Sequence, residues 1–269
     1  MIIESYTLKG DIDDLLHLED EKIMSRIGNN FIIKFGKKAH LREILDGNIR
    51  FTHLEDYKTG KGNEEIYDTS EGTLKQENLN LYIKPHGAGN ESFKEAGFGS
   101  LEISYIATKK HGVFSVSIPL LTLVERTEQC VHMQIDSKYI DDMTGLGYGH
   151  ALLMSAGILK KGLDKQTDLG IREGFVKYTD SVEFSDRHQV SEDIVNSAFY
   201  KRTEFSYQRE FRYVTLHAID DSPYILKIEP FHGIILPIDK LQELFLILGT
   251  TNENEVILAI FEENPIETL

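Results

Sequence analysis

The sequence predicts an α+β fold: a single domain over residues 1–269 with a mixed, mainly antiparallel sheet and short helices. Three observations point there. Short runs rich in Val, Ile, Phe and Tyr recur along the chain, bounded by Gly, Asn and Asp. The helical patterns between them are brief. No internal repeat, low-complexity tract or linker divides the 269 residues.

Composition narrows the class. A hydrophobic content of 41% supports an ordinary core. One cysteine, Cys130, excludes an internal disulfide and a multi-cysteine zinc site, and its alternating apolar surroundings predict a buried thiol. No run of about 18 apolar residues is present, so no transmembrane helix and no membrane partner are expected. The opening MIIESYTLKGDIDDLL lacks the basic-then-apolar order of a secretory signal, which predicts a cytoplasmic protein. The net charge of −15 argues against non-specific gripping of DNA or RNA, whose affinity rests on phosphate neutralisation. It is compatible with a small basic cleft, because net charge is not local field.

Taken in order, Asp11–Lys22 has the pattern of a helix with Leu15, Leu16 and Ile23 inward, and Gly28-Asn29-Asn30 signals a turn. Phe31–Phe35 is a strand ended by Gly36, Lys37–Leu45 a helix with Leu41, Ile44 and Leu45 on one face, and Ile49–Thr52 a second strand. His53–Asn80 is polar and without periodicity, a long loop. Lys84–Ser100 is turn-rich, resembling a flexible hairpin or lid. Leu101–Ala107 and Gly112–Ile118 suggest a hairpin, and Gln129–Ile135 another strand. Gly145–His150 turns into the apolar run Ala151–Met154; without the Lys-Ser/Thr of a phosphate loop it is no nucleotide motif. Ser155–Lys165 is a capped helix and Gly174–Thr179 a strand. Tyr224–Ile228 and Gly233–Leu236 are short apolar runs. Lys240–Leu248 is ambiguous between helix and strand, and Glu253–Phe261 has the pattern of a final helix.

The chemistry concentrates in Phe199–Val214, FYKRTEFSYQREFRYV. Phe205, Tyr207, Phe211 and Tyr213 share one parity, interrupted by Arg209; Ser206, Gln208, Glu210 and Arg212 share the other. On one continuous strand Gln208 and Glu210 point the same way, about 7 Å apart. Chemistry through a ribose oxocarbenium ion needs an anion beside the developing charge and hydrogen bonds to the sugar hydroxyls, which such a pair supplies. The alternative is that Glu210 pairs with Arg202, Arg209 or Arg212 on a sheet surface. No GxSxG elbow is present to offer a serine nucleophile, and no HxxxH or HExxH spacing is present, so no helical zinc site is expected. A metal-dependent nuclease on Glu64, Asp68 and Glu71 has an untypical spacing.

The strand SYQREFRYV resembles the Gln/Glu-x-Glu strand of ADP-ribosyltransferases, including DarT-like enzymes that modify nucleic acids. FIIKFGKKAHLREILDGNIRF resembles the first conserved unit of that family: strand, glycine turn, short helix and second strand. The resemblance implies an ADP-ribosyltransferase-like fold and NAD as co-substrate. Glu210 would be the catalytic glutamate and Gln208 its acceptor-side neighbour. Lys34, Phe35 and Gly36 would lie at the nicotinamide end of NAD, where the family carries His or Arg on the first strand. Tyr57 would lie on the NAD side and Arg50 would meet a phosphate. The chain also resembles a broad family of uncharacterised bacterial and phage proteins, several from phage-defence contexts. The shared order is Ile49-Arg50-Phe51, Tyr57-Lys58, Asp68–Gly72 and Phe199–Arg212. Together the resemblances imply a toxin or effector of phage–host conflict acting on a nucleic acid or protein acceptor, with a protein antitoxin or host partner. The alternative is a non-catalytic acidic protein that binds or inhibits a protein partner.

Overall fold

The computed structural model describes residues 2–7, 18–57, 73–83, 94–104, 110–127, 130–166, 168–180, 194–250 and 256–261. Its elements are mostly short strands, with a few short helices between them. The first part of the chain contains β1 (Ile2–Thr7), α1 (Asp20–Gly28), β2 (Phe31–Gly36), α2 (Lys38–Leu45) and β3 (Asn48–His53), then a 3₁₀ turn at Leu54–Tyr57. The hairpin strands β4 (Thr73–Ile83) and β5 (Lys94–Ser104) pair with each other. The middle part contains β6 (His111–Ser117), β7 (Leu121–Arg126), β8 (Val131–Ile135), α3 (Ser137–Gly145), β9 (His150–Ser155) and α4 (Ala156–Asp164). Last come β10 (Ile171–Phe175), β11 (Lys177–Tyr178), β12 (Tyr200–Lys201), β13 (Glu210–Ala218), β14 (Tyr224–Lys227), β15 (Gly233–Pro237), β16 (Phe245–Thr250) and β17 (Val256–Phe261).

The fold is therefore mixed α+β with largely antiparallel sheets. One sheet runs β10-β13-β6-β2-β9-β15, with β3 joined to β6 and β14 to β3. A second runs β1-β17-β16-β8-β7. The centre of the first sheet is buried on both faces, which is why β2 and β9 read as nearly unbroken apolar runs. Phe31, Ile33, Phe35, Ala151 and Leu153 pack on one side against α1, α3 and the second sheet. Ile32, Leu152, Met154, Phe114, Val116 and Tyr213 pack on the other against α2, α4 and β3. Lys34 is the one charged residue in the β2 run, and it stands on the second of these faces.

Local chemistry accounts for the helix boundaries. The Asp136 carboxylate accepts the Tyr139 amide at 3.0 Å to start α3, and the Ser155 hydroxyl accepts from Ile158 to start α4. Gly47, at φ 85°, closes α2 where the Ile228 carbonyl approaches; a Cβ there would lie 2.2 Å from that oxygen. No described helix is long and apolar enough to cross a membrane.

Several expectations are corrected. Of the helix expected over Glu253–Phe261, the described part, Val256–Phe261, is a strand between β1 and β16, because a short β-branched run seats itself where sheet edges await it. The polar stretch from His53 is not all loop, since Leu54–Tyr57 is a 3₁₀ turn and Thr73–Ile83 a strand. The glycine-rich region contributes β5, which pairs with β4 and not with β6. Residues 171–178 form two strands rather than one. Helix α1 begins at Asp20, with residues 8–17 outside the described part. Cys130 is half-buried, with Thr127 beside its sulfur.

Candidate active-site cleft

The site arises from a fork in the larger sheet. Strands β2 and β6 meet at one register pair, Ile33 with Ser117. Beyond it β6 turns to β3, pairing Val113 with Thr52 and Gly112 with His53, while β2 continues along β9. The carbonyl of Ser115, which a continuing β2 would meet with a backbone amide, is taken instead by the Lys34 ammonium at 2.6 Å. A cleft of about 510 Å³, counting its open mouth, lies at this fork. Its walls include Lys34, Phe35, Tyr57, Ser115, Gln208 and Glu210.

The Phe199–Val214 region differs from the single alternating strand expected of it. Ile194–Phe199 and Thr203–Gln208 are 3₁₀ turns, and Arg209 is left-handed at φ 47°. In a 3₁₀ turn residues three apart eclipse, and Phe205 and Gln208 are the two that turn inward together. Local period 3 thus overrides the apparent period 2. The Phe205 ring anchors this turn by packing under the Lys201 ammonium, 4.7 Å from its centroid. Gln208 and Glu210 are consequently not neighbours on one strand face.

They meet through a third residue. Lys201 on β12 donates to Gln208 Oε1 at 2.7 Å and to Glu210 Oε1 at 2.6 Å. Arg212 donates through Nε to Glu210 Oε2 at 2.8 Å and through Nη1 to the Ala198 carbonyl at 2.6 Å. All four side chains are buried. Burial would raise the Glu210 pKa, but Arg212 and Lys201 outweigh it and hold the carboxyl well below the usual carboxylate range. Glu210 is thus a permanently ionised anion: Oε2 is taken by Nε and Nη2 of Arg212, while Oε1, which accepts from Lys201, keeps acceptor capacity.

Lys34 is the opposite case. Protein crowds its ammonium, and burial lowers its pKa to about 8, with Glu210 opposing through its field. The ammonium also lies 5.1 Å from the centre of the Phe114 ring. Across the fork, the Ser115 Oγ is buried and has no hydrogen-bond partner among the described residues. Phe35 and Tyr148 stack at 5.7 Å in the apolar wall, with Met143 and Leu146 beside them.

The structure thus brings Lys34, Phe35, Tyr57, Gln208 and Glu210 to one cleft. Gly36 ends β2 next to it. Arg50 is elsewhere: it is exposed, on β3, opposite Ile225 of β14. The acidic Asp68–Gly72 and Glu64 lie outside the described residues. Sequence reasoning missed Lys201, Ser115 and Tyr148. Lys201 falls within the Phe199–Arg212 run, where the shared pattern Phe-x-Lys-x-x-x-Phe carries a lysine at that position, and that match was its signal. Among the described residues, no group of three or more His, Cys, Asp or Glu is placed to hold a metal ion.

No family model, curated protein or solved structure matches the chain.

Proposed function

We propose that this chain is an NAD-dependent ADP-ribosyltransferase-like protein, with the fold of that class and with the cleft at the fork as its NAD site. The observation that supports this reading is convergence: the strand-and-turn Lys34–Phe35, Tyr57 and the Gln208/Glu210 pair, far apart in sequence, line one cavity. In the reaction, the bond from the ribose C1′ to nicotinamide breaks and nicotinamide leaves with the bonding electrons. An acceptor nucleophile on a nucleic acid or protein then bonds to C1′ and loses its proton. Glu210, ionised at all ordinary pH, accepts a hydrogen bond from the ribose 2′-hydroxyl and stabilises the oxocarbenium ion. Gln208 orients the acceptor. Phe35, Tyr57 and Tyr148 offer aromatic surface to the nicotinamide end. A role as toxin or effector in phage–host conflict, restrained by a protein antitoxin, belongs to the same reading.

Incubation with NAD labelled in the adenosine half tests it. Wild type releases nicotinamide or transfers label, and Glu210→Gln lowers the rate by about 10²–10³-fold. Because that change leaves two buried cations facing a neutral amide, Lys201→Met/Glu210→Gln serves as a charge-balanced companion. Silence of the folded wild type toward NAD, in both turnover and binding, overturns the reading.

One observation favours a non-catalytic reading: both Glu210 oxygens already carry a cation. On that account the triad only holds β12 to β13 and the protein binds a partner without turnover. The charge-balanced double variant then loses stability at most and still binds the partner as wild type does.

A further inference from the structure

The cleft carries the opposite charge to the chain. Two ammonium groups, Lys34 and Lys201, stand in its wall against one carboxylate, and Arg212 lies behind that carboxylate, in a protein of net charge −15. The carboxylate is spent on Lys201 and Arg212, at 2.6 and 2.7 Å. Lys34 receives no such contact. Its one acceptor among the described residues is the neutral Ser115 carbonyl. An ammonium has three donors, so two point elsewhere. On the same β6 residue a buried hydroxyl, Ser115 Oγ, has no hydrogen-bond partner among the described residues. A half-buried ammonium with unused donors and a buried hydroxyl without a partner line one cleft, and a ligand that satisfies both removes the cost of leaving them so.

We propose that Lys34 and Ser115, at the fork between β2 and β6, form an anion-binding subsite that takes a phosphate group of the cleft's ligand. Within the NAD reading, on which this assignment of the ligand rests, the group is one of the two phosphates of the dinucleotide. Lys34 then replaces Arg50, which faces solvent on another strand, as the cation that meets phosphate. It does so at a shielded position, where an ammonium–phosphate contact is weakened little by bulk salt. Deprotonation of Lys34 removes the charge that holds the anion.

Calorimetric titration of the full chain with ADP-ribose tests this, because its diphosphate stays fully ionised across the pH range used. Binding at pH 7 falls at least tenfold at pH 9.5, as Lys34 loses its proton. Lys34→Met weakens binding at pH 7 by tenfold or more and abolishes the pH dependence. Lys34→Arg, which keeps the charge, retains binding. Ser115→Ala, a change that leaves the strand intact, weakens it severalfold. Inorganic pyrophosphate competes, and nicotinamide riboside, which has no phosphate, does not. Unchanged affinity in Lys34→Met, or wild-type binding that is flat from pH 7 to 9.5, overturns the subsite, as does failure of every phosphate compound to bind. The two proposals separate cleanly. Lys34-dependent ADP-ribose binding with no action on NAD keeps the subsite and rejects the transferase. Glu210-dependent NAD cleavage with an unaltered KM in Lys34→Met does the reverse.

Discussion

Holding Lys34 protonated inside the fold costs free energy. A pKa lowered to about 8 from 10.5 means that the unfolded chain binds the proton more tightly between those values. Stability therefore rises with pH through that window, is fully gained above about pH 10.5, and is lost as pH falls through 8. Roughly 1–3 kcal/mol at neutral pH is the corresponding penalty, since one pKa unit is about 1.4 kcal/mol and residual solvent contact discounts it. Lys34→Met is expected to raise the urea midpoint at pH 7 while losing the anion, and to flatten the rise above pH 8. A variant less stable than wild type at pH 7 contradicts the argument. Glu210 has the other sign: its carboxyl is held low, so its contribution is present above about pH 4.5 and falls away below it.

Among the elements, β8 carries an unusual load. His132 is fully buried in the second sheet, both ring nitrogens lack hydrogen-bond partners, and the ring lies 5.2 Å from that of Phe245. Burial lowers its pKa below 6.5, with Glu125 opposite it on β7 pulling the other way. The sign is that of a histidine buried neutral: stability is complete above pH 6.5 and declines as pH falls below it, when the unfolded chain takes up a proton that the fold resists. His132→Phe is expected to remove that decline while costing little at pH 7.5, as read from thermal midpoints at pH 7.5 and 5.5. Equal acid sensitivity in the variant counts against it. The 3₁₀ turn Thr203–Gln208 shows a different dependence, in which one aromatic decides an element. Phe205 enters the protein beneath Lys201 and thereby brings Gln208 inward, and Arg209 then adopts φ 47° to restart the strand at Glu210.

For the molecule as a whole, charge acts in two opposed ways. Net −15 destabilises the compact state by self-repulsion, so added NaCl up to about 0.3 M is expected to raise the thermal midpoint by a few degrees. The same salt lowers the association rate of an anionic ligand with its positive cleft, yet has little effect on its dissociation, because the contact at Lys34 is shielded. Thermal scans and stopped-flow binding across that salt range check both signs. A midpoint that falls with salt contradicts the first.

Much of this was legible in the residues alone. The α+β class, the β2–α2–β3 unit, β9 and the capped α4 follow from periodicity, glycine turns and a serine cap, all of which act over a few residues. Glu210 and Gln208 drew notice by residue type. The geometry that joins them was not legible, because alternation in FSYQREFRY mimics a strand while the packing of Phe205 imposes a 3₁₀ turn. Likewise the run VILAIF suits a helix or a strand, and only the open edges of β1 and β16 choose between them. The fork at Ser115 and the seating of Lys34 within it depend on segments 81 residues apart coming together, whereas the clamp of Lys201 on Gln208 and Glu210, seven and nine residues away, depends on the turn that Phe205 packs into place. Short-range preference is written in neighbouring side chains, whereas the charge and shape of a cleft belong to strands that meet only once the chain has closed.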